Sequence, residues 1–532
     1  MLAQQPVIIL RENVDRTQGY EAQRSNIAAA KALSEAVRST LGPRGMDKML
    51  IDGTGDVTIT NDGITILDEM SVQHPGAKMV IEVSRTQDEE VGDGTTTAVI
   101  LVGSLMEQAE ILLNKKIHPT VICRGYRMGM KKAVEILESL ASTTDPYNKT
   151  VMKKIVLTAI TGKSIENVKE KISEISVEAV MAAAVKDGTK ITVNEDDVKI
   201  KKQTGATMDD AELILGCVID KKRVNQEMPK KIAGAKIALV QNPLEIKKTE
   251  VKSKIKINST EQMEEFANQE RETLKAMADA VTDSGANVLL CQKGIADAAQ
   301  FYLAKAGILA IEDVPEADMK FAARSMNATI AAKATDLTKG MLGLAKTAEE
   351  LDDAEMIVIS GVKNPKTVTI LLRGSTNYLV DELDRAVVDA TRVVMDTMED
   401  SKYVSGGGSV EAELAVRIRE YAIQVGGREQ MAIEAYADAF TAIPITLAEN
   451  SGFDAIDKLV EMKKAHAEGK KNIGLDVFTG KLEDMLKEGV IEPLRCKRQA
   501  IQSSEEAVEM LLRVDDMMVS SSKPGMGPGP ME

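Results

Sequence analysis

The spacing of apolar positions divides the chain into stretches of different character. Residues 21–41, EAQRSNIAAAKALSEAVRSTL, carry apolar side chains three and four apart. Gly42-Pro43 ends that pattern, so a helix stopping there is predicted. In VTITNDGITIL (57–67) two β-branched runs flank Asn61-Asp62-Gly63, which reads as a β-hairpin with those residues as its turn. From 76 to 140 the period is helical again, broken at GDGTTT (92–97) and at His118-Pro119. The middle of the chain changes period. AKIALV (235–240), GANVLLCQ (285–292), GILAIEDV (307–314), EMIVIS (355–360) and KTVTILLRG (366–374) are short apolar runs separated by helix-period stretches, the pattern of an α/β domain. From about 377 long helices return, interrupted at VSGGGS (404–409). The order helical, α/β, helical suggests one helical domain built from both ends of the chain.

Two segments resist this scheme. In 242–282, Ser259 and Gln262 fit a capping box, and Met263, Phe266, Leu274, Met277 and Val281 make a thin apolar stripe in a highly charged helix. Either the helix lies solvated on its own domain, or it is an arm that offers its stripe to a partner or substrate. The tail, SSSKPGMGPGPME, has no periodicity and is expected to be disordered.

Composition narrows the class. A length of 532 residues exceeds what one core supports and suggests about three or four domains. With 44% apolar and 28% charged residues, the chain has both a core and a solvated surface. A net charge of −15 argues against a nucleic-acid partner, and 3% aromatics without Trp argue against base-stacking platforms. Cys123, Cys217, Cys291 and Cys496 are far apart and form no C-x-x-C, which suits separate buried thiols in a reducing compartment better than zinc. The start, MLAQQPVIILRENVDR, has no basic n-region or long h-region, and AVILV (98–102) falls far short of a membrane span. A cytoplasmic protein with no membrane partner is expected.

Candidate chemistry concentrates in glycine turns: LGPRG (41–45), TNDG (60–63), VGDGTTT (91–97) and VSGGGS (404–409). Each lacks side-chain bulk where a backbone could approach a ligand. The third and fourth stand at helix starts, where free N–H groups and the positive end of the dipole favour anions. Asp93, held between glycines, could reach a hard cation such as Mg²⁺, with the hydroxyls of Thr95, Thr96 and Thr97 beside it. Asp62 reads either as a turn former or as part of the same site. Thr161-Gly162-Lys163-Ser164 contains GKS, but a P-loop needs a glycine where Leu157 stands. The three histidines, His74, His118 and His466, form no H-E-x-x-H, and the first two precede prolines, where a loop role is expected.

Taken together, LGPRGMDKML, TNDGITIL, HPGAKM, GDGTTTAVIL, RGYRMGM, LTAITGKS, LLRGSTNYLVDELDRAVVDA, VSGGGSVEAEL and GVIEPLRCKRQAIQ closely resemble group II chaperonins, the thermosome and TCP-1 ring family, archaeal thermosome subunits above all. The resemblance runs from about residue 8 to 518. It implies a multidomain α and α/β subunit with the chaperonin fold. A mainly helical equatorial ATP-binding domain would comprise 1–147 and 404–532. A small intermediate hinge would comprise 148–217 and 369–403, and an α/β apical domain 218–368, with a helical protrusion at about 242–282. The implied activity is ATP hydrolysis with Mg²⁺, coupled to closing a built-in lid over non-native polypeptides. The implied assembly is a double ring of identical or paralogous subunits, eight per ring.

By the same resemblance, Leu41, Gly42 and Pro43, with Gly94, Thr95, Thr96 and Thr97, line the phosphates of ATP or ADP, and Asp93 ligates Mg²⁺. Asp62 and Asp389 position and activate the attacking water, and Lys163 senses the terminal phosphate. Gly407 and Gly408 contact the nucleotide, Glu492 lies near its ribose and base, and Asp476 is a weaker candidate there. Asp389 belongs to the hinge segment, so its approach would couple hydrolysis to domain movement. A scaffold that binds ATP without hydrolysing it, and a small metabolic kinase, are the alternatives. The short GMGPGPME tail departs from a long Gly-Met repeat, which leaves a tail role inside the cavity without support.

Overall fold

The computed structural model describes residues 14–51, 53, 55, 57–163, 165–188, 190–246, 260–351 and 354–520. Ser259, and with it the expected capping box, and the tail beyond 520 lie outside them. The chain forms two compact units. One comprises residues up to Thr144, Thr161–Lys163 and the chain from Asp400; the other comprises Asp145–Ile160 and Ser164–Glu399.

The first unit is mainly helical and is made from both ends of the chain. Strand Val14–Gln18 pairs antiparallel with Asp516–Ser520, and Lys402–Ser405 lies between Ser142–Thr143 and Ile491–Pro493. Its central helix, Thr95–Asn114, buries Val99, Ile100, Leu101, Val102, Leu105 and Met106. A helix apolar on most faces belongs in a core. Although long and apolar enough to cross a membrane, it is enclosed here by helices Tyr20–Arg38, Pro75–Val91, Gly427–Ala439 and Leu494–Arg513.

One local expectation changes. The hairpin exists, but it joins Lys48–Ile51 to Val57–Thr60. Asn61-Asp62-Gly63 is instead the entrance to helix Gly63–Glu69. The Asp62 carboxylate accepts from Thr65 N at 3.1 Å and from Thr65 Oγ1 at 2.7 Å, so an N-cap prevails over the β-branched turn pattern. Ile64, Ile66 and Leu67 are all buried, a helical rather than an alternating set. His74 and His118 stand in loops, as expected, and have a further role there. Each caps a helix whose first residue is proline, its ring nitrogen accepting from Gly76 N and Thr120 N.

The second unit is α/β. Strand Lys231–Val240 pairs in parallel with Val288–Cys291, which pairs in parallel with Leu309–Ile311. On the other side, Gly343–Glu350, Ile357–Ser360 and Cys217–Ile219 continue the sheet antiparallel. The end of the central strand does not alternate between buried and exposed positions. Ile237, Ala238, Leu239 and Val240 are all buried, because both sheet faces are covered. A second sheet sets Val368–Gly374 between Val198–Thr204 and Glu212–Ile214. Helix Thr260–Asp283 answers part of the 242–282 question. Leu274, Ala278 and Val281 pack on the sheet, whereas Phe266 and its neighbours in the first half are exposed.

Candidate functional site

Within the first unit, the glycine turns converge because bulk is missing where backbones meet. Gly42 has φ +81°, and a Cβ there would meet Leu447 Cδ2 at 2.4 Å. Gly408, at φ +74°, lies against the same leucine and Pro444. Leu447 thus seats LGP beside the GGG turn, and Asn450 Nδ2 holds the LGP end by donating to the carbonyls of Arg38 and Leu41. A Cβ on Gly162 would collide with Pro43 Cα, and Asn61 Nδ2 donates to Gly162 O at 3.0 Å. These contacts bring Thr161–Lys163 and the Asp62 turn to LGP.

The Asp93 turn completes the convergence. Gly94, at φ +81°, is the N-cap of helix Thr95–Asn114, and its N–H donates to Asp93 Oδ1 at 2.7 Å. A Cβ on Gly63 would strike Thr96 Oγ1 and Thr96 N, so the starts of two helices abut. Thr95 Oγ1 lies 3.4 Å from Asp62 Oδ1. Behind the turn, Gln87 Nε2 donates to Asp93 O at 2.8 Å and to Cys496 O at 3.2 Å, and Cys496 Sγ donates to Asp93 O. Backbone donors at abutting helix starts favour an anion.

Electrostatics favour a cation beside it. Burial pushes the Asp93 carboxyl up from the ordinary carboxylate range; Lys163, the Gly94 N–H and Lys497 oppose that shift without cancelling it. Glu492 is pushed up by burial too, against the pull of Lys497, which lies 2.8 Å away. The same Lys497 ammonium is 2.8 Å from Glu411 Oε1. Desolvated, under-compensated carboxylates gain from a divalent ion. No group of three or more His, Cys, Asp or Glu side chains among the described residues could hold one unaided. A single carboxylate supplemented by phosphate oxygens is how Mg²⁺ commonly binds, and Asp93 fits that role.

The remaining candidates separate clearly. Glu492 pairs with Val404 across the sheet, and its Oε1 would contact a Cβ on Gly406, so it borders the GGG turn. Asp476 follows Leu475, whose N–H donates to Gly407 O, but its own carboxylate serves the turn, accepting from Phe478 N and Thr479 Oγ1. Burial raises the Asp476 carboxyl, and those bonds more than reverse it. Asp389 lies on helix Asn377–Asp400 of the second unit. Sequence reasoning missed Lys497, Glu411, Gln87 and Leu447. The one available signal was a Lys and a Glu on the apolar sides of helices Leu494–Arg513 and Ser409–Val425.

A sequence model of the TCP-1/cpn60 chaperonin family matches residues 33–522. The chain is 51% identical over 517 residues to thermosome subunit alpha of Archaeoglobus fulgidus, covering 97% of this chain and 95% of that protein. It is 50% identical over 516 residues to a thermosome subunit of Methanopyrus kandleri, covering 97% and 95%, respectively. The thermosome subunit of Pyrococcus horikoshii is 50% identical over 522 residues, covering 98% and 95%.

Proposed function

The chain belongs to the TCP-1/cpn60 chaperonin family, and from that premise we propose that it is an ATP-dependent group II chaperonin subunit. In this reading it works in a double ring of eight identical or paralogous subunits per ring, enclosing non-native polypeptide. The observation that supports it most is the convergence of LGP, Asp62, the Asp93 turn, Lys163 and the GGG turn in one unit.

The residues divide the work of phosphoryl transfer to water. Backbone N–H groups of Thr95, Thr96 and Thr97, with Gly94 and the LGP and GGG turns beside them, hold the phosphates. Asp93 would hold Mg²⁺, which when bound neutralises phosphate charge. Asp62 Oδ2 is committed to its helix cap, and Oδ1, which accepts from Thr95 Oγ1 at 3.4 Å, would orient the attacking water. Lys163 reads the terminal phosphate. Asp389 is the acid that activates the water. We assign residues 1–147 and 404–532 to an equatorial domain, 148–217 and 369–403 to a hinge, and 218–368 to an apical domain with a protrusion at about 242–282. The protein is assigned to the cytoplasm.

Phosphate release from ATP, with Mg²⁺ or with EDTA, tests this reading. The expected result is metal-dependent turnover that falls roughly 100-fold or more in Asp389→Ala while Mg·ADP binding persists. Wild-type turnover by Asp389→Ala, or none by the wild type, contradicts it. A particle mass far below that of two rings contradicts the assembly.

A further inference from the structure

We propose that Lys497 is a positioning residue for the nucleotide site, joining its two halves and setting the charge that the nucleotide meets. This inference rests on the nucleotide-binding reading above.

Lys497 stands in the first turns of helix Leu494–Arg513 and is 8% exposed at its side chain. Its Nζ bridges Glu411 in the first turn of the helix that follows the GGG turn and Glu492 on the strand that pairs with Val404. Its neighbour in sequence, Cys496, is bound to the Asp93 turn through Asp93 O and Gln87. Residues 496 and 497 therefore link the Asp93 half of the site to the GGG half. The bridge is also incompletely satisfied: Glu411 Oε2 is buried with no hydrogen-bond partner among the described residues. A purely structural ion pair in a core closes its hydrogen bonds, because an unmet buried carboxylate oxygen is costly. Here two carboxylates share one ammonium beside the half-buried Asp93, and the surplus negative charge is left where a bound metal or a polar group of the nucleotide can compensate it. Lys497 then acts through Glu492 and Asp93, without touching phosphate itself.

The test is Mg·ADP titration of the assembled full-length protein, with KM and kcat for ATP measured alongside. Lys497→Met is expected to weaken Mg·ADP by about 10- to 100-fold, the range seen when outer-shell partners of ligating groups are removed. It should raise KM more than it lowers kcat. Lys497→Arg should retain most of the affinity, and the Glu492→Gln/Lys497→Met pair should recover part of it. Glu411→Gln gives an independent reading if Lys497→Met fails to fold. With one acid fewer to share the ammonium, ADP should bind more tightly, and metal-free ADP should gain more than Mg·ADP. Wild-type affinity in both Lys497→Met and Glu411→Gln overturns the proposal while leaving the nucleotide reading intact. A wild type that does not bind Mg·ADP overturns both.

Discussion

Glu411 and Glu413 sit two residues apart on one helix, each almost fully buried, yet their surroundings differ in kind. Glu413 is closed off. Its Oε2 is 2.8 Å from His466 Nδ1, its Oε1 accepts from Arg417 Nε at 2.9 Å, and His466 Nε2 is 2.8 Å from Ile473 O. Glu411 shares one lysine with Glu492 and keeps an oxygen unpartnered. A network with every polar atom matched specifies a core and leaves a ligand nothing to do. An open network next to glycine turns has capacity left for a ligand. Openness alone is not the signal, however. Glu505 Oε1 and Tyr436 Oη are also buried without partners among the described residues, and both lie on helices, Leu494–Arg513 and Gly427–Ala439. The open carboxylate and the bulk-free backbone must coincide.

The sharpest way to break this contrast is on the open side. Asp93→Ala should cut Mg-dependent hydrolysis by roughly 100-fold or more, since it removes the carboxylate proposed to hold the metal, and phosphate release reads it directly. On the closed side the consequence is stability. His466→Gln removes the imidazole bound to Glu413 Oε2, and should lower unfolding free energy by roughly 3 kcal/mol in denaturant melts, with Mg·ADP affinity unchanged.

The pH dependences of Glu413 and Glu505 run in opposite directions. Burial raises the Glu413 carboxyl, but the bonds from His466 and Arg417 outweigh burial and hold it below the ordinary value. The folded state then takes up its proton later than the unfolded chain as pH falls. Its stabilisation is full above about pH 4.5 and is lost below that, so Glu413→Gln should flatten the acid limb of a stability profile. Glu505 behaves in reverse. Burial, reinforced by Glu509, pushes it up to about 7, so folding is weakened as pH rises from about 4.5 to 7. Glu505→Gln should remove that slope and stabilise the protein at pH 8 by up to about 3 kcal/mol.

Much of this was legible in the chain, for identifiable reasons. The strands of the second unit were visible because parallel strands covered on both faces read as unbroken apolar runs, as in AKIALV and KTVTILLRG. The helix start behind the Asp93 turn was visible because the glycines and threonines precede an apolar run, and helix Thr95–Asn114 begins there. TNDG was misread because Asn-Asp-Gly suits a hairpin and an N-cap equally. The choice fell to the Thr65 bonds and to the packing of Ile64 and Leu67, which local pattern does not encode. Lys497 and Glu411 were illegible because they lie 86 residues apart, and a charge on an apolar helix face does not announce what it meets. Leu447 looked like any core leucine until two glycines were found against it.

The central claim is that the glycine turns around Asp93 form a nucleotide site. Calorimetric titration of Mg·ADP into the assembled protein, wild type against Asp93→Asn, tests it most directly. The account expects saturable binding by the wild type that weakens when metal is chelated, and a variant that has lost this metal-dependent gain. Absence of saturable binding in the wild type, or equal binding by Asp93→Asn with Mg²⁺ present, would contradict it.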